Sequence, residues 1–528
     1  MTAARTGRAG QAGQAGRRAA DSPAAIARRA MQRLHTVVTD RTRAARGLLP
    51  TGRHFALTWS VSDGYGGMTA ALLARTRAFV RHGGVRVDVL TLDEQADYPT
   101  LESRLRQRGE LIDGMRLLNL WDWLRDNPLP GGSLRLDRHP LSPLPLGPGP
   151  GATEIRRGGT VLSRTRWSED GARALQTDHY RLDGTLLVSD RRDIEGGGRS
   201  IVLCDESGSP VRSWGRIWHL YAAWLDRLSA RRPTFLIVDS KTVAPFVAEY
   251  RRPHVTTVHL VHASHLEGTE RPMGRLRESR RRVFENLAAF DAVAVLSERQ
   301  RADVEALLGP QDNVIVVRNV REEVPGRASQ NALTRPRDIT AGIMLASLEK
   351  RKRVSHAVRA VAAQRVLTTA GAGRPVTLDV YGEGPRRATL EAVVDRLEAR
   401  DFARLRGFDP HARERLADAS FLLLTSTSEG FPLVLAEALS VGCLPIVYDV
   451  PYGPADIIRS GWNGWVVPAG DVDAMAAAIE ELVSLPDERI AAMRRNAVAS
   501  ARSFDPLAVT RAWARGLRAA RRRSRRRA

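Results

Sequence analysis

Two successive series of strand-then-helix alternation constrain this chain more than any other feature. In the first, HFALTWSVS from residue 54 reads as a buried strand, DGYGG as a turn, Met68 to His82 as a helix and RVDVLTLD as a second strand. TFLIVDS, VAPFVAEY, TTVHLVH, AVAVLS, ERQRADVEALLG and NVIVVRNV continue it. GIMLASL opens the second series, followed by a helix over 354–364, VTLDVYG, a helix over 386–399, a strand near RLRGF, SFLLLTS, a helix over 432–441 and LPIVYD. The polar stretch 321–338 separates the two. Continuously apolar strands suit parallel sheets buried on both faces. The expected fold is therefore α/β, with two Rossmann-like, doubly wound domains.

One segment breaks the alternation. After the Pro- and Gly-rich residues 129–160, HYRLDGTLLVSD sets Asp183-Gly184 between two strand-like runs, which signals a hairpin. RSIVLCDESGSPVRSW repeats the design around a Ser-Gly turn. These predict an antiparallel β-rich insertion over about 150–215, after which WHLYAAWLDRL returns to helix. The expected organisation is a basic disordered tail over 1–49, a first domain over 50–338 containing the insertion, a second over 339–505, and a helix with an Arg-rich tail over 506–528.

Charge refines this. The chain of 528 residues carries +22, of which +8 lies in residues 1–49 and +9 in 511–528, leaving +5 for the body. The basicity reads as a property of the tails. RRRSRRRA could hold an anionic membrane surface or bind nucleic acid non-specifically. No helix-turn-helix, RRM or zinc-finger pattern supports a specific nucleic-acid role. No apolar run approaches a membrane span. Arg17-Arg18 is followed by no apolar signal core, and the two cysteines, Cys204 and Cys443, suit a reduced compartment. A cytoplasmic protein, peripheral at most to the inner face of a membrane, is the expectation.

The stretch TSTSEGFPLVLAEALSVGCLPIV, residues 425–447, carries the chemistry. Open α/β sheets bind ligands beyond the carboxyl ends of their strands. Glu429 stands at such an end, Gly430 admits close approach of a ligand, and Pro432 suits a first helical turn. Free N–H groups at that helix start favour a diphosphate. Glu437, eight residues on, lies among apolar neighbours where a solvated glutamate is unnatural.

SEGFPLVLAEALSVGCLPI resembles the E-x7-E segment of retaining nucleotide-sugar glycosyltransferases of the GT-B fold. YDVPYGPADIIRSGWNGWVVPAGD extends the likeness to poly(glycerol-phosphate) α-glucosyltransferases, which decorate wall teichoic acid, and to related protein O-glycosyltransferases. The resemblance spans roughly 54–505, and the subgroup also carries a β-rich insertion. It implies that Glu429, with the backbone of Gly430, Phe431 and Pro432, binds the donor sugar. Glu437 would bind the nucleotide ribose and Lys352 the diphosphate. The arginine of the family's R-L-x3-K pattern is absent, because Ser347 occupies its place; Lys350, Arg351 or Arg353 are candidate substitutes. Gly66-Gly67 would face the donor diphosphate, Gly382 in YGEGP the nucleotide, and Phe408 in RGFDP the base. From residues alone, each of these is only a β-α turn.

HLVHASHLEG supplies His259, His262 and His265. Read as a strand, it turns His259 into the sheet and leaves the other two at its carboxyl end. The resemblance gives one of them a contact with the donor sugar near the reaction centre: His262 first, His265 second. A zinc site lacks a third ligand, and no cofactor or metal is expected beyond the nucleotide sugar as co-substrate. The resemblance ascribes retention to same-face attack, the donor phosphate taking the acceptor proton. Tryptophans 121, 123, 214 and 218 near the insertion read as core, interface or sugar-stacking residues.

The function expected is transfer of a hexose, glucose or N-acetylglucosamine, from a UDP-linked donor to a polymer such as teichoic-acid-like polyol phosphate. Protein Ser/Thr O-glycosylation, or a non-catalytic glycosyltransferase-like partner subunit motivated by Ser347, are the alternatives. Edge pairing of the insertion is the expected route to any homo-oligomer.

Overall fold

The computed structural model describes residues 47–129, 133–134, 152–192, 198–268, 270–324, 333–369 and 374–527. The expected loose tail over 1–49 lies, up to residue 46, outside them. Gly47–Ala528 is one compact unit.

Three sheets organise it. The first takes β1 (Arg53–Leu57), β2 (Val87–Thr91) and β3 (Met115–Asn119). The chain then leaves to build β4 (Ala152–Arg157), β5 (Thr160–Trp167), β6 (Ala174–Tyr180), β7 (Leu186–Arg192), β8 (Arg199–Cys204) and β9 (Pro210–Trp214). It returns for β10 (Thr234–Val238), β11 (Val255–Leu260), β12 (Ala292–Val295) and β13 (Val314–Val316). The first sheet is parallel, in the order β13-β12-β11-β10-β1-β2-β3. β14 (Ala341–Leu345), β15 (Thr377–Tyr381), β16 (Ala403–Gly407), β17 (Phe421–Leu424), β18 (Leu444–Tyr448) and β19 (Trp465–Val467) form a second parallel sheet, ordered β16-β15-β14-β17-β18-β19. Each order reverses once, between β1 and β10 and between β14 and β17. Those switch points are where crevices open at the strands' carboxyl ends.

The insertion is an antiparallel meander, β4 to β9 in sequence order. Its hairpin at 181–185 is built as the Asp-Gly signal requires. Gly184 takes φ +87°, its N–H donates to the Arg181 carbonyl at 3.1 Å, and the Arg181 N–H donates to Thr185 at 2.8 Å. The loop is thus one residue longer than a two-residue hairpin, the extra residue absorbed by the left-handed glycine.

Two expectations need correction. Residues 94–128, to which the sequence reading assigns no element, hold helix Tyr98–Gln107, β3 and helix Leu120–Asp126. β3 is an edge strand reading M-R-L-L-N, so no apolar run announces it. The Arg-rich tail, in turn, is the end of a helix, Pro506–Arg527, which lies on the first sheet and on helix Gly67–Gly83. Val509, Trp513, Leu517 and Ala520 line its buried side at helical spacing. The Arg523 Nε donates to the Asp291 carbonyl at 2.7 Å and Arg527 Nη1 to Ala288 at 2.7 Å. These arginines close carbonyls rather than trail in solvent. Arg522, Arg525 and Arg526 remain exposed on the outer face. Among the described residues no helix is long and apolar enough to cross a membrane.

Candidate active site

The switch point of the second sheet gathers the residues read from the E-x7-E stretch. The chain leaves β14 into a single turn of 3-10 helix at Lys350–Lys352, and leaves its neighbour β17 into 425–432. Lys352 Nζ donates to Glu429 Oε1 at 2.7 Å, and Arg351 Nη1 reaches the same oxygen at 3.2 Å and the Ser428 carbonyl at 3.1 Å. Burial alone would raise the Glu429 carboxyl. Lys352 first and Arg351 second outweigh it and hold the group below its usual range. The side chains of Glu429 and Lys352 keep only 10% and 16% of their surface exposed.

Of the three candidate substitutes for the absent arginine, Arg351 is the one whose guanidinium reaches Glu429. Arg353 does not: it adopts φ +45° and turns away, its Nη1 3.3 Å from where a Cβ on Gly470 would lie. Helix Leu433–Ser440 begins at Pro432 with no side-chain cap, and the Leu435 N–H donates to the Pro432 carbonyl at 3.0 Å.

Gly430 has a different reason to be glycine from the one expected. A Cβ there would fall 2.0 Å from the His262 carbonyl oxygen and 3.0 Å from the Ala263 Cα. This close approach is to the first lobe's backbone. It sets Glu429 and His262 on either side of one backbone contact.

His262 is held from below. Its Nε2 lies 2.8 Å from Asp239 Oδ1. A carboxylate only accepts, so Nε2 carries the proton and Nδ1 is left without a hydrogen-bond partner among the described residues. Asp239 follows β10 directly and takes both Arg75 terminal nitrogens at 2.8 Å. Burial pushes the Asp239 carboxyl up, but the Arg75 charge and the hydrogen bonds of Arg75 and His262 bring it down to about 2. Arg75 lies over the Trp513 ring, 5.4 Å from its centroid, so the C-terminal helix backs the tether.

His265, the second-ranked histidine, is fully buried between the rings of Phe284 and Tyr452, at centroid distances of 5.1 and 5.7 Å. It presents no surface to a ligand, because the chain after β11 turns inward to pack on helix Glu278–Phe284. Burial lowers it to about 4. His259 lies within the sheet as expected, Nδ1 3.0 Å from the Val238 carbonyl.

Glu437 is buried and bonded to Arg413 at 2.7 Å. Burial raises its carboxyl and Arg413 offsets only part of that. Arg413 also holds Glu322 at 3.0 Å, and Glu322 pairs with Arg77 on helix Gly67–Gly83, which links the lobes across the linker.

The remaining candidates are placed as follows. Gly66 and Gly67 start helix Gly67–Gly83 with open space at both Cβ positions. Gly382 has φ +144° and would put a Cβ 1.9 Å from the Ala346 carbonyl, so it lets two strand-end loops cross. Phe408 is 75% exposed. Phe431 is buried edge-on to Phe504 at 5.2 Å. Trp121 stacks on His179 at 3.5 Å as core.

Sequence reasoning missed Asp239, Arg75 and Arg413. Asp239 had a signal, an acid immediately after the apolar run TFLIV; the two arginines had none. Among the described residues no group of three or more His, Cys, Asp or Glu side chains is placed to hold a metal. Cys204 and Cys443 are free and buried. A cavity of about 870 Å³ between Leu124–Leu129 and the hairpins of the insertion contains none of these site residues.

The sequence profile of Glycosyl transferases group 1 matches residues 329–501. Those residues are a group 1 glycosyltransferase domain. Glu429, Glu437, Lys352 and Arg351 all belong to it. A Streptomyces coelicolor exopolysaccharide phosphotransferase is 34% identical over 37% of this chain and 20% of its own length. The alignments to the first three curated relatives span 20%, 37% and 28% of their lengths. A Staphylococcus aureus poly(ribitol-phosphate) α-N-acetylglucosaminyltransferase is 20% identical over 81% of this chain and 92% of its own. A crystal structure of an S. aureus TarM variant with Fondaparinux, α-GlcNAc-glycerol and UDP matches with TM-score 0.65 and 17% identity, covering 88% of this chain and all of that one. The chain has the GT-B fold: the glycosyltransferase domain faces a second Rossmann-like lobe that carries the β insertion.

Proposed function

We propose that this chain is a retaining hexosyltransferase. It moves glucose or N-acetylglucosamine from a UDP-linked donor to a polymer acceptor of the teichoic-acid-like polyol-phosphate kind. The observation that carries this reading is the meeting of Lys352 and Arg351 with Glu429 at one switch point, with His262 of the other lobe against Gly430.

The chemistry follows from the charges. As the anomeric C–O bond breaks, its electron pair goes to the β-phosphate oxygen while C1 becomes oxocarbenium-like. Lys352, Arg351 and the uncapped helix start stabilise the departing diphosphate. Glu429, kept ionised, accepts from sugar hydroxyls. His262 offers the Nδ1 lone pair as another acceptor. The acceptor oxygen bonds to C1 on the face the phosphate leaves, and its proton passes to that phosphate. None of these steps needs a metal or a protein base. Glu437 takes the ribose once Arg413 yields its carboxylate. The S. aureus relative's name, and the UDP and α-GlcNAc-glycerol bound in TarM, support the donor and acceptor classes. The exposed arginines of the C-terminal helix are the candidate contact with an anionic surface.

A donor panel tests this. UDP-glucose, UDP-GlcNAc and GDP-mannose are incubated without acceptor and sugar release is read. Release from one UDP sugar, lost in Glu429→Gln and Lys352→Ala, is expected. Undiminished release in both variants defeats the site. No release, together with no thermal stabilisation by UDP or GDP, favours a non-catalytic subunit.

A further inference from the structure

A second recess opens at the other switch point, where β1 and β10 part in the first sheet. It measures about 250 Å³ and is lined by Trp59 beyond β1, Thr242 beyond β10, Arg192 and Arg199 from the insertion, and Trp218 and Tyr221 of helix Ile217–Ser229. No residue of the donor corner lines it. Thr242, on its wall, stands three residues along the chain from Asp239, the carboxylate that holds His262.

We infer that this recess is an acceptor subsite that grips one phosphodiester-linked polyol unit of the polymer, on the far side of the unit that receives the sugar. Three features lead there. First, Arg192 is exposed, faces Arg199 across the β7–β8 ladder, and its side chain has no ion pair or hydrogen bond among the described residues. Second, Arg199 bonds Asp190 side-on through Nε at 2.8 Å and Nη2 at 2.5 Å, which neutralises that acid and leaves Nη1 unspent. Two guanidinium donors on one wall suit a phosphodiester. Third, Trp59 is 41% exposed, and Trp218 is stiffened by the guanidiniums of Arg216 and Arg282 at 4.8 and 5.1 Å from its ring centre. Such faces suit the C–H surface of a polyol. The insertion's role follows: without β7 and β8 the recess would lack both of its cations. A recess of this depth fits a repeating unit better than a flat lipid surface.

The inference rests on the proposed polymer acceptor, so the test separates binding from turnover. A synthetic glycerol-phosphate oligomer and an unphosphorylated glycerol oligomer of equal length are titrated into the full chain, and into Arg192→Gln and Trp59→Ala, by calorimetry. Sugar release from UDP donors is read in parallel. Wild type should bind the phosphorylated oligomer at least about tenfold more tightly than the other. Arg192→Gln should erase that preference, and Trp59→Ala should weaken both oligomers. In the coupled reaction the variants should raise acceptor KM about tenfold while the KM for donor stays put. Equal binding of both oligomers, or a preference surviving in Arg192→Gln, overturns the subsite even if donor turnover is normal. If Arg192→Gln loses affinity for phosphatidylglycerol vesicles and not for the oligomer, the recess is a membrane contact and the inference is wrong. Absent donor turnover with oligomer binding intact defeats the functional reading and leaves the subsite standing.

Discussion

Gly430 of one lobe lies against the carbonyl of His262 in the other, with no room for a methyl group between them. This contact is backbone on backbone, so no rotamer change can relieve it. It fixes the spacing of the two side chains on either side, Glu429 and His262.

Gly430→Ala tests that spacing. A Cβ would land 2.0 Å from the carbonyl oxygen, so the loops must part by about an ångström or more. A misplacement of that size costs roughly a hundredfold in rate. We expect kcat to fall by about that factor while UDP affinity, to which Lys352, Arg351 and Glu437 of the second lobe are proposed to contribute most, changes less. Single-turnover kinetics with UDP titration reads both.

Arg351 and Arg353 make opposite predictions for the missing arginine. Arg351 already reaches Glu429 at 3.2 Å, whereas Arg353 turns toward Gly470. Arg351→Ala should weaken UDP binding about tenfold, the worth of one charge-assisted contact at a half-exposed site. Arg353→Gln should leave it within about twofold. Equilibrium titration with UDP decides; equal effects would return the question to Ser347.

What could be read from the sequence follows a physical line. FLLLT and GIMLASL are apolar because both faces of a parallel strand are buried, so β17 and β14 announce themselves, and Glu429 and Lys352 stand just beyond them. The glycine of Gly430 was visible but its cause was not, since His262 lies far away in sequence and only the tertiary fold brings it there. Arg75 was invisible for the same reason: an arginine in a helix reads as solvated until an acid such as Asp239 is placed beneath it. The Arg-rich end of the expected C-terminal helix was read as a tail because Arg523 and Arg527 bond carbonyl groups, a role that no composition rule distinguishes from a tail.

Asp239→Asn probes the tether. It leaves Arg75 buried without a counter-charge, which costs about 3–5 kcal/mol. Urea unfolding should show that loss, and Arg75→Met in the same chain should restore part of it. The histidine gives a readout that stability does not. With the carboxylate gone, Nε2 loses its fixed acceptor. The His262 nitrogen-15 shifts should then move from a pure Nε2–H tautomer to a mixture, and kcat should stay low even in the stabilised double variant. Recovery of kcat together with stability would make the tether merely structural.

Acid stability supplies the last prediction. His54, His259 and His265 are all buried, and burial lowers them to about 4, 3 and 4. Each is neutral in the folded chain while its unfolded counterpart protonates near 6.5. Below that pH the unfolded state binds more protons, so stability falls as pH drops from about 6.5, until His54 and His265 themselves titrate near 4. With His179, which burial also holds well below the usual range, four such groups give a slope approaching ~5 kcal/mol per pH unit within that window. Neither ring nitrogen of His265 has a hydrogen-bond partner, and its ring lies between Phe284 and Tyr452, so phenylalanine can take its place. His265→Phe should leave the pH 7.5 urea midpoint unchanged or higher. It should also cut the fall between pH 6.5 and 4.5 by about a quarter, the share of one of four equal groups. An unaltered fall would mean that His265 already protonates in the folded chain at these pH values.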